Sequence, residues 1–175
     1  MIIVVEGPDG AGKTSLCRHL AERTGFPVYK PVGDPLTTGM STLESQAHDR
    51  GAIDALVAAR APDLIMDRSF PSEWVYSLVF ERQIDTNLIW ALDRALSGVD
   101  HLGLLVSFRS PSGGARQARR RGMTELSTDE WKRAWWRYEE YIGMSSMTWT
   151  RVDAAAPEGE AAAALARIIE ERMRS

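Results

Sequence analysis

Eight residues near the start of the chain, Gly7-Pro8-Asp9-Gly10-Ala11-Gly12-Lys13-Thr14, constrain its fold more than any other feature. They satisfy the pattern G-x-x-x-x-G-K-[ST] in full. They follow an apolar run, Ile2-Ile3-Val4-Val5, and open a helical pattern over 14–23, where Leu16 and Leu20 lie one turn apart and Gly25 supplies a stop. A loop of this composition, caught between a buried strand and a helix N-terminus, aims backbone N–H groups at a common point. The helix adds partial positive charge there. The chemistry that fits is a triphosphate. Gly7, Asp9, Gly10, Ala11, Gly12, Lys13, Thr14 and Ser15 form the cradle, Lys13 neutralises the outer phosphates, and the Thr14 hydroxyl is a ligand for Mg²⁺.

The remainder alternates short apolar runs with longer helical patterns, the mark of a parallel α/β sheet. Strands are expected at Phe26–Tyr29, Leu64–Met66, Leu102–Phe108 and Thr148–Val152. With the first, these make a five-stranded parallel sheet in a three-layer α/β/α fold. Ser41-Thr42-Leu43-Glu44 reads as a capping box opening a helix to about Arg60. Pro71 suits the first turn of a helix turning Trp74, Val75, Leu78 and Val79 inward. Leu88, Ile89, Leu92 and Leu96 mark another. Ser110–Gly114 reads as a flexible turn, and Arg116–Ser127 as a polar, basic stretch without a buried face. Thr128 opens a helix with Trp131, Trp135, Tyr138 and Ile142 on one side, and the last helix turns Leu165, Ile168, Ile169 and Met173 inward. No repeat or linker interrupts residues 1–175, which read as one domain.

Composition excludes several classes. With 175 residues, 44% hydrophobic and 26% charged, the chain is an ordinary globular protein. A net charge of −3 argues against a general nucleic-acid binder, so no stable nucleic-acid complex is expected. The single cysteine, Cys17, forbids an internal disulfide. Met1–Val5 is too short for a secretory leader, and no run of about 18 apolar residues offers a membrane span. The expected location is the cytoplasm.

A second anion site is expected at Asp67-Arg68, at the carboxyl end of the third strand, where open α/β sheets place ligands. Asp67 can hold Mg²⁺ directly or through water, and the planar fork of Arg68 matches a phosphate. Here a resemblance becomes visible. Glu6-Gly7-Pro8-Asp9-Gly10-Ala11-Gly12-Lys13-Thr14 resembles the opening of the thymidylate kinase family. Asp67-Arg68-Ser69-Phe70-Pro71-Ser72, with Tyr76 behind it, resembles that family's Asp-Arg-Tyr-x-x-Ser segment. His48-Asp49-Arg50 is similar to its Ala-Asp-Arg, and Trp149-Thr150-Arg151-Val152-Asp153-Ala154 to its last strand. The resemblance implies transfer of the γ-phosphoryl of ATP to a deoxynucleoside monophosphate, dTMP first, with Mg²⁺. It places Asp9 near the acceptor sugar, Arg50 against the base, Arg68 on the acceptor phosphate with Ser72 beside it, and Tyr76 against the deoxyribose. The sequence departs from the pattern at Ser69, where the family has tyrosine, and at Glu73 and Ser77, where it has Ser and Gln. These positions bear on the base rather than on the reaction.

Arg116, Arg119, Arg120 and Arg121 resemble the lid that similar kinases close over the transferring phosphoryl group, spanning about 112–128. Some thymidylate kinases carry the catalytic arginine in the phosphate loop; between Pro8 and Ala11 the only charged residue here is Asp9, so the resemblance implies that the lid supplies it. Three other readings stand beside this one. A deoxynucleoside kinase uses an Arg-Ser pair like Arg68-Ser69, but it needs a carboxylate base and carries Glu-Pro-Val where this chain has Lys30-Pro31-Val32. Lys30 suits a phosphate instead. A kinase acting on a modified base in DNA is disfavoured by the acidic balance. A regulatory GTPase is disfavoured because Asn-Lys-x-Asp is absent and Asp100-His101-Leu102-Gly103 precedes a strand. Thymidylate kinases often dimerise through helices, which makes Trp90 and Trp136 candidates for a homodimer contact.

Overall fold

Five parallel strands form one sheet in a computed structural model that describes residues 1–30, 63–120, 122, 124, 126–156 and 159–174, with residues 173 and 174 described by backbone alone. The strands are β1 (Ile2–Glu6), β2 (Val28–Tyr29), β3 (Leu64–Asp67), β4 (His101–Ser107) and β5 (Trp149–Asp153). Their order across the sheet is β2-β3-β1-β4-β5. β1 is central, bonded to β3 on one side and β4 on the other, and all five of its residues are buried. That is why it is apolar along its length apart from Glu6. The helices among the described residues are α1 (Lys13–Thr24), α2 (Phe70–Val79), α3 (Thr86–Ser97), α4 (Pro111–Arg120), α5 (Thr128–Met144) and α6 (Glu160–Arg174). The expected capping box at Ser41 and the helix behind it lie outside the described residues.

Strand side chains alternate between two cores. Ile3 and Val5 pack with Leu16 and Leu20 of α1 and with Leu165 and Ile169 of α6. Ile2 and Val4 pack on the other face with Trp74 and Val75 of α2 and with Ile89 and Leu92 of α3. One helix joins both. Trp131 of α5 belongs to the first core, and Ala134, Tyr138 and Tyr141 belong to the second. Its start is fixed by a capping box: the Ser127 side chain accepts from Glu130 N, and the Glu130 carboxylate accepts from Ser127 N. Its end is held by buried Asp93 of α3, which accepts from Tyr141 Oη at 2.8 Å and from Ser146 N at 2.6 Å.

Two sequence expectations are corrected. Residues 110–120 are not a turn leading into a stretch without a buried face. Pro111–Arg120 is a helix, with Gly114, Ala115 and Ala118 buried. The reason is packing: a Cβ on Gly114 would stand 2.3 Å from the Trp131 ring and 2.7 Å from Phe108, so only small residues let this helix approach α5. Ile168 does not face inward but is 43% exposed, and Ala162 and Ala166 take the buried positions beside Leu165 and Ile169.

Candidate functional site

The site lies where β1 and β3 end side by side. β1 stops at Glu6 and passes into the loop, with Gly7 at φ 143°, Gly10 at φ 71° and Gly12 at φ 93°. At Gly7 the conformation and the space both require glycine, because a Cβ would fall 2.0 Å from the Val106 carbonyl oxygen of β4. The loop therefore lies directly against the sheet. Gly12, left-handed, sets the start of α1, which carries no side-chain cap. Its first N–H groups are left to a ligand, the arrangement that binds anions.

Lys13 is buried and curls back so that its Nζ donates to the Pro8 carbonyl at 2.8 Å. Burial, with Arg68 nearby, draws its ammonium down to about 7 against the opposing pull of Asp9, Glu6 and Asp67. A triphosphate arriving in the loop would restore the charge. Thr14 Oγ1 donates to Asp67 Oδ2 at 2.8 Å, and Lys30 Nζ stands 3.8 Å from the same oxygen. Thus the two residues expected to bind metal do meet. A hydroxyl and a carboxylate together suit Mg²⁺, which prefers oxygen donors and completes its shell with water and phosphate. Among the described residues no cluster of three or more His, Cys, Asp or Glu could hold a metal unaided.

Arg68 follows Asp67 and is the most unusual residue of the site. Its φ is 73°, a left-handed conformation that costs a non-glycine residue about 1–2 kcal/mol. Its guanidinium donates to Ser72 Oγ at 3.0 Å, to Tyr138 Oη at 3.3 Å and to Asp9 Oδ1, and its Cζ lies 5.2 Å from the centre of the Tyr76 ring. Asp9, Arg68, Ser72 and Tyr76 are therefore brought together as the sequence suggested. Burial works against the Arg68 charge, yet Tyr76, Tyr138, Asp9 and Glu6 hold its pKa well above the ordinary value. Three buried hydroxyls on this segment, those of Ser69, Tyr76 and Ser77, have no hydrogen-bond partner among the described residues. Unpaired buried hydroxyls mark where a polar ligand or water completes the structure.

The basic helix divides its arginines. Gly113, Arg116, Gln117 and Arg120 line an open cavity of about 400 Å³. Arg119 instead donates to Thr128 Oγ1 at 3.3 Å, at the start of α5. Arg50 and Arg121 lie outside the described residues.

Three contributors were invisible in the sequence. Glu6 directly precedes the loop, and Tyr138 and Trp131 reach the site from α5. Glu6 is completely buried, which raises its pKa, with Arg68 opposing. Its carboxylate accepts from Ser69 N, Ser72 Oγ and Tyr138 Oη. Trp131 Nε1 donates to the Asp9 carbonyl of the phosphate loop at 2.8 Å. The signal available for the aromatic pair was their seven-residue spacing, which puts them on one side of α5, but spacing alone does not say what they touch.

In sequence the chain is similar to the thymidylate kinase of Xanthomonas campestris pv. campestris (strain B100), at 35% identity over 138 residues, covering 66% of this chain and 60% of the relative. A cytidylate kinase of Actinobacillus succinogenes is 36% identical over 53 residues, 30% of this chain and 23% of that protein. The chain thus spans 60% of the length of the thymidylate kinases it matches. No protein-family model matches it. In structure it is similar to the YorR protein of Bacillus subtilis, crystallised with phosphorylated GDP, with a TM-score of 0.80 at 17% identity over 100% of this chain and 99% of the other. It is also similar to the deoxyadenosine kinase of M. mycoides with bound dATP, at a TM-score of 0.66 and 15% identity, over 100% of each chain. At such identities the likeness is one of fold, and the fold is the α/β fold of P-loop kinases. In sequence the chain resembles thymidylate kinases over 66% of its length.

Proposed function

We propose that this chain is an ATP-dependent nucleoside monophosphate kinase, moving the γ-phosphoryl group to a deoxynucleoside monophosphate, with dTMP as first candidate. The observation that carries the reading is the Asp9–Arg68 ion pair. It joins the triphosphate loop to an arginine held in a strained conformation at the adjacent strand end, so two anion sites adjoin. A donor phosphate in the loop and an acceptor phosphate on Arg68 would approach in the geometry phosphoryl transfer needs. The similarity to thymidylate and cytidylate kinases supports this acceptor class.

In this reading the loop amides and Lys13 hold the donor, and Arg68 orients the acceptor, with Ser72 and Tyr76 beside it and Lys30 at the pocket's edge. Arg50 would face the base. Thr14 and Asp67 would hold Mg²⁺, which neutralises phosphate charge when bound. Arg116 and Arg120, with Arg119 and Arg121 on the same stretch, would bring positive charge over the phosphates as α4 closes. An acceptor phosphate is ionised near pH 7 and needs no base. The alternative reading, a deoxynucleoside kinase, draws on the fold neighbour with bound dATP, but it requires a carboxylate to take a proton. Among the described residues, the three buried or half-buried carboxylates of this site are engaged: Glu6 with three donors, Asp9 with Arg68 and Asp67 with Thr14.

The test is ADP formation from ATP and Mg²⁺ with each deoxynucleoside monophosphate, each nucleoside, a single-stranded oligonucleotide, or no acceptor. Turnover should appear with a monophosphate. Turnover with nucleosides alone would favour the second reading. Acceptor-independent hydrolysis as the only activity would overturn both.

A further inference from the structure

We infer that Glu6, Ser72 and Tyr138 form a buried relay that positions Arg68, and that Tyr138 and Glu6 thereby set the grip on the acceptor without touching it. The inference rests on the reading of Arg68 as the acceptor-phosphate residue.

The left-handed backbone of Arg68 must be held by its neighbours. Both amides flanking its Cα are tied to β1: Arg68 N donates to the Val5 carbonyl at 3.1 Å, and Ser69 N donates to Glu6 Oε1 at 2.7 Å. Glu6 thus fixes the turn through one oxygen. Through the other it fixes the side chain. Ser72 Oγ lies 2.6 Å and Tyr138 Oη 3.2 Å from Glu6 Oε2, and the two hydroxyls are 2.8 Å apart.

Proton accounting gives the relay its direction. An ionised carboxylate only accepts, so Ser72 spends its single proton on Glu6 at 2.6 Å, and Tyr138 points its own at the Ser72 oxygen 2.8 Å away and at Glu6 3.2 Å away. Each then turns a lone pair toward Arg68 Nη1, which donates to both, at 3.0 and 3.3 Å. A glutamine at position 6 would offer N–H groups instead and break this alignment. A buried carboxylate that served stability alone would be a poor choice, since well-packed apolar residues do as well or better. Its value here is orientation. The Arg68 side chain is not sealed off but 25% exposed, which leaves room for an acceptor to meet it.

Tyr138→Phe keeps the ring and removes only the hydroxyl; Glu6→Gln keeps the shape and removes the charge. Two measurements decide the matter. The first needs no substrate: ¹⁵N–¹H spectra of the arginine side chains, with the Arg68 signals assigned by their loss in Arg68→Lys. The folded wild type should show Arg68 resonances of restricted rotation, and both variants should lose that restriction. The second is kinetic: with dTMP as acceptor, Tyr138→Phe should raise the acceptor KM roughly tenfold, the effect expected from losing a hydrogen bond to a charged group, while the ATP KM stays within about twofold. Unchanged Arg68 spectra in folded Tyr138→Phe would overturn the inference, as would equal losses for ATP and acceptor. If Glu6→Gln fails to fold, Tyr138→Phe still decides. Wild type that turns over no monophosphate would overturn the proposed function, and the spectra would then judge the positioning of Arg68 by themselves.

Discussion

Trp131→Phe should weaken both the fold and the phosphate loop, by amounts that can be worked out from the contacts of this one ring. Trp131 is completely buried, and its Nε1 donates at 2.8 Å to the carbonyl of Asp9, inside the loop. Phenylalanine keeps an aromatic ring against Phe108 and Gly114 but removes the donor and part of the volume. The lost hydrogen bond contributes about 1 kcal/mol, and somewhat more if the Asp9 carbonyl is left without a partner. A deficit of roughly 40 Å³, at about 24 cal/mol per Å³ of unfilled cavity, adds about 1 kcal/mol. The expected destabilisation is therefore about 2–3 kcal/mol, read as a lower urea midpoint at constant slope by far-ultraviolet circular dichroism.

The functional part separates from the structural part through a control. Trp135→Phe removes a similar bond, Trp135 Nε1 to the Phe108 carbonyl at 3.0 Å, one turn further along α5 and outside the loop. Both variants should lose stability. Only Trp131→Phe should raise the ATP KM, by about threefold to tenfold, because only it frees Asp9. Equal ATP KM values for the two variants would refute the argument that α5 holds the loop in place. A stability loss below 0.5 kcal/mol for Trp131→Phe would refute the packing calculation.

Three further outcomes are expected. Gly7→Ala should abolish ATP binding, measured by calorimetry, and lower stability by about 3 kcal/mol or more, because a Cβ would strike the Val106 carbonyl at 2.0 Å in a backbone conformation L-residues avoid. Arg68→Ala should raise the monophosphate KM roughly thirtyfold or more and lower kcat, with ATP binding changed by less than about threefold, as steady-state kinetics with each substrate varied will register. Thr14→Val deletes the hydroxyl bonded to Asp67 and should raise the Mg²⁺ concentration needed for half-maximal turnover about tenfold, while chelation of divalent cations stops the wild-type reaction altogether.

How much of this was legible depended on distance along the chain. The loop from Gly7 to Thr14 is a local device, so its residues announce it, and the adjoining strand and helix follow from periodicity. Asp67-Arg68 was readable because a strand end is where such a fold puts its ligands. What joins these parts is not local. Glu6 and Tyr138 are 132 residues apart, and Asp9 and Trp131 are 122 apart; no pattern within either segment implies the other. The helix Pro111–Arg120 was misread because Ser-Pro-Ser-Gly-Gly has the composition of a turn. The glycine weakens the helix by about 1 kcal/mol, but it lets α4 sit on Trp131, and packing outweighs propensity.

The charges of the site explain why α4 should matter. Among the described residues of the pocket each cation already has a partner: Arg68 is held by Asp9, the Lys13 ammonium by the Pro8 carbonyl, and Lys30 stands near Asp67. Among these described residues Glu6, Asp9 and Asp67 match Arg68, Lys13 and Lys30 in number, so they leave no positive charge to spare. In the proposed reaction a triphosphate and a monophosphate together would bring several negative charges into this balance. Lys13 can move from a carbonyl to a phosphate, regaining there the charge that burial withdraws, and Arg68 can share itself between Asp9 and an acceptor, but two side chains supply fewer positive charges than the phosphates bring negative. The excess must come from outside the pocket. Two sources fit: the oxygen pair of Thr14 and Asp67, able to bring in a divalent cation, and Arg116 and Arg120, one turn apart on a single side of α4. A site self-neutralised at rest and dependent on mobile cations for its charged state would stabilise the phosphates only when both arrive together, which restrains transfer of the phosphoryl group to water.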